Sequence, residues 1–121
     1  MNTILIIDDN KDYRTNLMEI LKFENYATLE AENGQIGLQM IRQHSPNLIM
    51  CDVDMPVMNG IEVLKTAKAD PVLAKIPFLM VTGSSDEQTL KASRDLEVEA
   101  YLTKPISIPE FLSTIAHFLF E

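Results

Sequence analysis

The sequence predicts an α/β fold in which one parallel sheet is covered by helices on both faces. Three observations carry that expectation. Short aliphatic and β-branched runs recur five times, at Thr3-Ile4-Leu5-Ile6-Ile7, 26–31, Leu48-Ile49-Met50-Cys51-Asp52, Phe78-Leu79-Met80-Val81 and Ala100-Tyr101-Leu102-Thr103. Stretches with apolar residues at helical spacing separate and follow these runs. The connections are short and rich in Asn, Asp, Gly and Pro. Five strands alternating with five helices through short loops call for parallel pairing, because each strand must return to the same edge of the sheet.

Each element has its own local reason. The first run is apolar throughout, as suits a strand buried on both faces. It ends at Asp8-Asp9, and Asn10 is placed to cap a helix over 11–23, where Tyr13, Leu17, Ile20 and Leu21 share helical spacing. The second run alternates partly, which suits an edge strand. Asn33-Gly34 reads as a turn, a helix follows over 36–43, and Ser45-Pro46 stops it. The third run ends abruptly in Asp52. Pro56 and Gly60 then impose a loop, since proline has no N–H and glycine tolerates positive φ. Residues 61–69 read as a helix with Ile61, Leu64 and Ala67 inward, ended by Asp70-Pro71. Pro77 opens the fourth strand, which runs out at Thr82-Gly83-Ser84-Ser85, and 86–94 is a weakly amphipathic helix. The fifth strand ends at Lys104-Pro105. Pro109, in a first turn, opens the last helix, with Phe111, Leu112, Ile115, Phe118 and Leu119 on its apolar face.

The 121 residues suffice for one domain with a single core, and no linker, repeat or low-complexity segment divides 1–121. No apolar stretch reaches the roughly 18 residues of a membrane span, and no basic-then-apolar leader opens the chain, so no membrane association is expected. Eighteen acidic against ten basic residues leave a formal charge of −8, which disfavours contact with a phosphate backbone and hence direct nucleic-acid binding. A single cysteine, Cys51, makes no internal disulfide and fits a reducing cytoplasm. One Cys with two distant histidines, His44 and His117, makes a poor zinc set.

The chemistry gathers at the strand ends. Asp8 and Asp9 follow the first strand, Asp52 the third, Thr82 the fourth and Lys104 the fifth. In a parallel sheet these ends share one edge, where open α/β sheets keep their ligand sites. Carboxylates brought together raise one another's pKa unless a cation intervenes. An oxygen-only set suits Mg²⁺, which binds through one or two carboxylates plus a phosphate. A hydroxyl and an ammonium beside it serve the remaining phosphoryl oxygens. The set reads as a Mg²⁺-assisted phosphoryl site with one Asp as nucleophile.

Four stretches, Ile6-Ile7-Asp8-Asp9, Asp52 with Met55-Pro56-Val57-Met58-Asn59-Gly60, Val81-Thr82-Gly83 and Tyr101-Leu102-Thr103-Lys104-Pro105, make nearly the whole chain resemble the receiver domain of two-component response regulators, the chemotaxis regulators among them. The resemblance implies a doubly wound, flavodoxin-like sheet in the order 2-1-3-4-5, with 1–121 as one receiver domain. It implies that Asp52 accepts a phosphoryl group from a sensor histidine kinase or histidine phosphotransfer protein. Asp9 would ligate Mg²⁺ directly, Asp8 directly or through water, and Asp54 through its backbone carbonyl, with Mn²⁺ as an alternative ion. Lys104 would pair with Asp52 at rest and hold a phosphoryl oxygen afterwards. The Thr82 hydroxyl and the Gly83 N–H would turn to the phosphoryl group, and Tyr101 would pack inward in response. A cis Lys104-Pro105 bond is expected by the same resemblance. So is a partner surface on the fourth helix, fifth strand and last helix, serving a downstream protein target or output domain and open to phosphorylation-dependent dimers. Asp54 and Ser84 occupy positions that vary in the family and are candidates for tuning phosphoryl lifetime.

Taken singly, these residues have plainer readings. An Asp at a strand end caps helices, Thr82 suits any strand, Lys104 suits any surface, and Tyr101 suits a half-buried edge. Cys51 reads as a buried, inert thiol, and the histidines as surface or helix-end residues. Three other functions compete. Asp52-Val53-Asp54 matches the Asp-x-Asp pair of haloacid-dehalogenase-like phosphohydrolases, but Asp8-Asp9 precede it and the chain is short for a substrate cap. A flavodoxin-like binder needs a Ser/Thr/Gly-rich phosphate loop where Asp8-Asp9-Asn10 stand. An unphosphorylated docking module would not need the full Asp9, Asp52, Thr82 and Lys104 set. The expected role is therefore a phosphorylation-activated cytoplasmic signalling switch that catalyses only its own phosphoryl transfer and loss, and is no enzyme with an independent substrate.

Overall fold

A computed structural model describes residues 2–83 and 86–119. Five parallel strands, β1 (Thr3–Ile7), β2 (Ala27–Ala31), β3 (Leu48–Asp52), β4 (Phe78–Thr82) and β5 (Ala100–Thr103), form one sheet in the order β2-β1-β3-β4-β5. Helices α1 (Lys11–Phe23), α2 (Gly34–His44), α3 (Gly60–Ala69), α4 (Glu87–Asp95) and α5 (Ile108–Leu119) connect and follow them. The strand order is the doubly wound one expected. A 3₁₀ turn at Leu73–Lys75, unforeseen in the sequence, is closed by the Asp70 side chain, which accepts from the N–H of Val72 at 2.9 Å.

Strand alternation divides the core in two. Leu5, Ile7, Ile49, Cys51, Phe78 and Met80 face Leu38 and Ile41 of α2 and Val63, Leu64 and Ala67 of α3. Ile4, Ile6, Leu48, Met50, Leu79 and Val81 face Leu17 and Leu21 of α1 and Phe111 and Ile115 of α5. All five residues of β3 and of β4 are buried, which explains why both strands are apolar up to their last residues, Asp52 and Thr82. β2, at the edge, is only partly buried.

Helix starts follow the capping residues. The side chains of Asn10, Asn33 and Asn59 accept from the N–H groups of Tyr13, Ile36 and Glu62, and Glu62 returns a bond to complete a capping box on α3. Asn33-Gly34 is thus a cap and first helical residue, not a separate turn. For α5 the Ser107 hydroxyl accepts from the N–H of Glu110 at 3.1 Å. At the opposite edge of the sheet from the acidic residues, Glu99 accepts the Phe78 N–H at 2.7 Å and pairs with Lys68 at 2.8 Å, closing the start of β4.

The loop after β3 differs from expectation. No glycine among the described residues has positive φ; the left-handed position is Val57, at φ 71°. Met58 N–H donates to the Pro56 carbonyl at 2.8 Å, so Val57 is the centre of a tight three-residue turn of the strained, positive-φ kind. Gly60 serves packing instead: a Cβ there would run into the Asp52 carbonyl and sit 2.9 Å from the Cα of Val53. Its N–H donates to the Val53 carbonyl at 2.9 Å, folding α3 back onto the end of β3.

Candidate functional site

The carboxyl ends of β1, β3, β4 and β5 bring the acidic, hydroxyl and basic residues together. Asp8 follows β1 and is 3% exposed, and Asp52, the last residue of β3, is 6% exposed, so their charges must be met inside the protein. Asp9 is exposed beside them. Carboxylate oxygens of Asp8, Asp9 and Asp52 lie within 4.8 Å of one another, an oxygen-only set that could hold one hard divalent cation.

Lys104, just past β5, reaches across. Its Nζ donates to Asp8 Oδ2 at 3.3 Å and lies 3.7 Å from Asp52 Oδ1. The resting lysine is therefore shared: it forms the expected ion pair with Asp52 and gives its hydrogen bond to Asp8. The main chain anchors it: Lys104 N–H donates to the Thr82 carbonyl at 2.7 Å, tying the ends of β4 and β5. The Lys104–Pro105 peptide is cis.

The electrostatics follow from this burial. Asp52 has its pKa raised to about 6, first by burial, then by the nearby charges of Asp8, Asp54 and Asp9, while Lys104 pulls it down. Burial opposes the charge on Lys104, but Asp8 and Asp52 outweigh it and its pKa ends above the ordinary lysine value. Burial pushes the Cys51 thiol well up, with Asp52 adding, so the thiolate that redox chemistry needs is suppressed. Cys51 is the buried, inert residue expected, its Sγ directed to the Asp52 carbonyl at 3.4 Å.

The remaining expected site residues are arranged around this cluster. Thr82 ends β4, paired in register with Thr103, and is 1% exposed. Gly83 is exposed, with nothing within 4 Å of where a Cβ would stand. Tyr101 packs against the α2–α3 side of the core, and its hydroxyl is enclosed without a hydrogen bond of ordinary length among the described residues. Burial raises its pKa, and the neighbouring Thr82 side chain acts in the opposite sense. Asp54 is exposed, close enough to add its charge to both Asp52 and Tyr101. Ser84 lies outside the described residues. His44, at the end of α2, and His117, in α5, are exposed and remote from the cluster in the fold.

The sequence model of one family, described as the response regulator receiver domain, matches residues 4–116. The chain belongs to that family. This receiver is 33% identical over 117 residues to the polar-differentiation response regulator DivK of Brucella anthropi, covering 97% of the chain and 95% of that protein. Among solved structures it superposes on the CheY-like receiver domain protein of Methanospirillum hungatei with a TM-score of 0.92 at 29% identity, covering 97% of the chain and 92% of the other. The Mn²⁺-bound form of response regulator Rcp1 matches with a TM-score of 0.82 at 28% identity, covering 97% and 91%. These likenesses favour a phosphorylation-activated signalling switch over the phosphohydrolase, and receivers are signalling proteins, not conventional enzymes. No helix among the described residues is long and apolar enough to cross a membrane.

Two participants escaped the sequence reading. Arg14 of α1 is 8% exposed; one of its Nη atoms donates to the Asp8 carbonyl at 2.7 Å and its Nε to Glu30 Oε1 at 2.7 Å. Its signal was present: Arg14, Leu17 and Leu21 share one helical stripe, and a charge on an apolar stripe must have a buried partner. Helical spacing places Tyr13 with the core alone, yet its ring also receives Lys104, with Nζ 4.2 Å from the centroid. No local pattern marks a contact between residues at opposite ends of the chain.

Proposed function

We propose that this receiver, residues 1–121 acting as one domain, is switched by phosphorylation of Asp52. The observation that carries the reading is the single cluster in which a buried Asp52 sits with two further carboxylates and an ammonium 3.7 Å away. An Asp52 carboxylate oxygen attacks the phosphorus of a phosphohistidine. The P–N bond breaks as the P–O bond forms, and the imidazole leaves with a proton. Asp8, Asp9, Asp52 and the backbone carbonyl of Asp54 would hold Mg²⁺, or Mn²⁺, which when bound offsets the negative charge shared by carboxylate and phosphoryl group. The likeness to response regulator Rcp1, whose solved structure is a Mn²⁺-bound form, supports such an ion.

Lys104 then exchanges its carboxylates for a phosphoryl oxygen, and the Thr82 hydroxyl and Gly83 N–H supply donors from the β4 end. A phosphoryl group adds close to two charges and three strong acceptors at one point, so drawing Thr82 toward it biases the packing of Tyr101 and the surface of α4, β5 and α5. Asp54 and Ser84 would set how long the phosphoryl group survives. The donor would be a sensor histidine kinase or phosphotransfer protein and the reader a downstream protein or output domain, in the cytoplasm, with a phosphorylation-dependent dimer as one form of output. Phosphoryl transfer onto and off Asp52 is the only chemistry assigned.

Incubation with acetyl phosphate and Mg²⁺, followed by intact mass, tests this reading. A hydroxylamine-labile phosphoryl adduct that needs Mg²⁺ and vanishes in Asp52→Asn is expected. Failure of both acetyl phosphate and beryllofluoride to modify or perturb the wild type would overturn it.

A further inference from the structure

The phosphoryl chemistry above makes no use of the aromatic ring over Lys104. Lys104 is 24% exposed at its side chain, and its ammonium is bounded by Asp8, Asp52 and the Tyr13 ring. A cation over a ring face is attracted by the ring quadrupole, and more strongly where water is partly excluded. A lysine otherwise free to extend into solvent is held at the mouth of the site.

Tyr13 is itself held in place. The Asn10 side chain accepts its N–H at 3.0 Å, and Asp8 Oδ1 accepts the Asn10 N–H at 2.8 Å. Arg14, the next residue, donates to the Asp8 carbonyl. Asp8 and Tyr13, two of the three groups around the ammonium, therefore belong to one locally bonded segment. Tyr13 also packs against the α1–α5 core, which further restrains it.

We infer that Tyr13 is a positioning residue for phosphoryl transfer: its ring face holds the Lys104 ammonium beside Asp52, in place to meet the phosphoryl oxygens as they arrive. The ring acts through Lys104 and touches neither the reacting oxygen nor the ion. Without it, the lysine must be ordered during the reaction, and a flexible four-carbon stem has much freedom to lose. The attraction belongs to the ring and not to its hydroxyl, so phenylalanine retains it and an aliphatic residue of similar bulk does not. This inference rests on phosphorylation of Asp52.

The test joins two readouts on the whole chain. In metal-free wild type, the Cε protons of Lys104 are expected upfield of those of the other lysines, because they lie in the shielding cone of the ring. That displacement should persist in Tyr13→Phe and vanish in Tyr13→Leu. Phosphorylation by acetyl phosphate with Mg²⁺, followed by intact mass, should slow roughly three- to tenfold in Tyr13→Leu and stay within about twofold of wild type in Tyr13→Phe. Equal rates in all three proteins, or equal slowing in both variants, would overturn the inference. Should Tyr13→Leu not fold, an unshifted Lys104 in the wild type would overturn it alone. No adduct on the wild type would instead remove the reading of Asp52, and the ring-shift measurement would still decide whether Tyr13 holds Lys104.

Discussion

The Arg14 guanidinium donates to the main-chain carbonyl of Asp8 at 2.7 Å, and so a buried charge on α1 fixes the backbone that carries a site carboxylate. The same group pairs with Glu30 at the rim of β2, which neutralises it where water is scarce. Removing it in Arg14→Ala strands a buried carbonyl and loses the packed stem, and should cost about 2–3 kcal/mol in urea unfolding. Glu30→Gln, altering the half-exposed partner, should cost less than about 1 kcal/mol. Arg14→Lys should rescue poorly, since one ammonium cannot reproduce a planar fork. Equal losses in Arg14→Ala and Glu30→Gln would show that the ion pair, not the bond to Asp8, is what matters.

Asp52 makes stability depend on pH in an unusual direction for a carboxylate. Folded Asp52 keeps its proton to about pH 6, whereas an unfolded Asp releases it near pH ~3.9. Between those values the folded state binds more protons, so the contribution of this group to stability falls as pH rises. The gap between these two values corresponds to at most ~3 kcal/mol. In EDTA, Asp52→Asn should be more stable than wild type by roughly 2–3 kcal/mol at about pH 7.5, with the difference gone by about pH 4. Identical urea midpoints at the higher pH would show that ionised Asp52 is not strained by its surroundings.

Lys104 is the cation that keeps this from being worse. It lowers the Asp52 pKa against burial and the three acidic neighbours. In metal-free Lys104→Met the Asp52 carboxyl should titrate about one unit or more above wild type, followed by its ¹³C shift. A lower or unchanged midpoint would mean that the ammonium contributes nothing to the resting charge balance.

The loop after β3 separates strain from fit. Val57 holds a left-handed backbone with its side chain 80% exposed, so Val57→Gly relieves strain while losing almost no buried surface. It should stabilise the protein by about 0.5–1 kcal/mol, the relief exceeding the added freedom of the unfolded chain. Gly60→Ala should act oppositely, by roughly 2 kcal/mol or more, because the Asp52 carbonyl and Val53 backbone occupy the space of the new methyl and are not free to yield. Thermal melts of the two variants moving in the same direction would contradict this division.

Much of the molecule was legible in the residue order. Apolar runs with period two or with no break, and helical spacing between them, determined the five strands and the five helices. Asn10 was legible as the cap of α1, whereas Asn33, which caps α2, carried only a turn signal. Asp8, Asp9, Asp52, Thr82 and Lys104 could be brought together on paper because parallel strands all end on one edge. Periodicity reports how one element is buried, and no more. Which carboxylate receives Lys104, a contact across 96 positions, is set by the stagger of β1, β3 and β5 and by the reach of a flexible side chain. The ring of Tyr13 over that ammonium, the bond from Arg14 to Asp8, and the exchange of roles between Val57 and Gly60 are likewise matters of distance between elements. Tertiary structure alone decided them, because pair energies depend on separations that no single stretch of chain encodes.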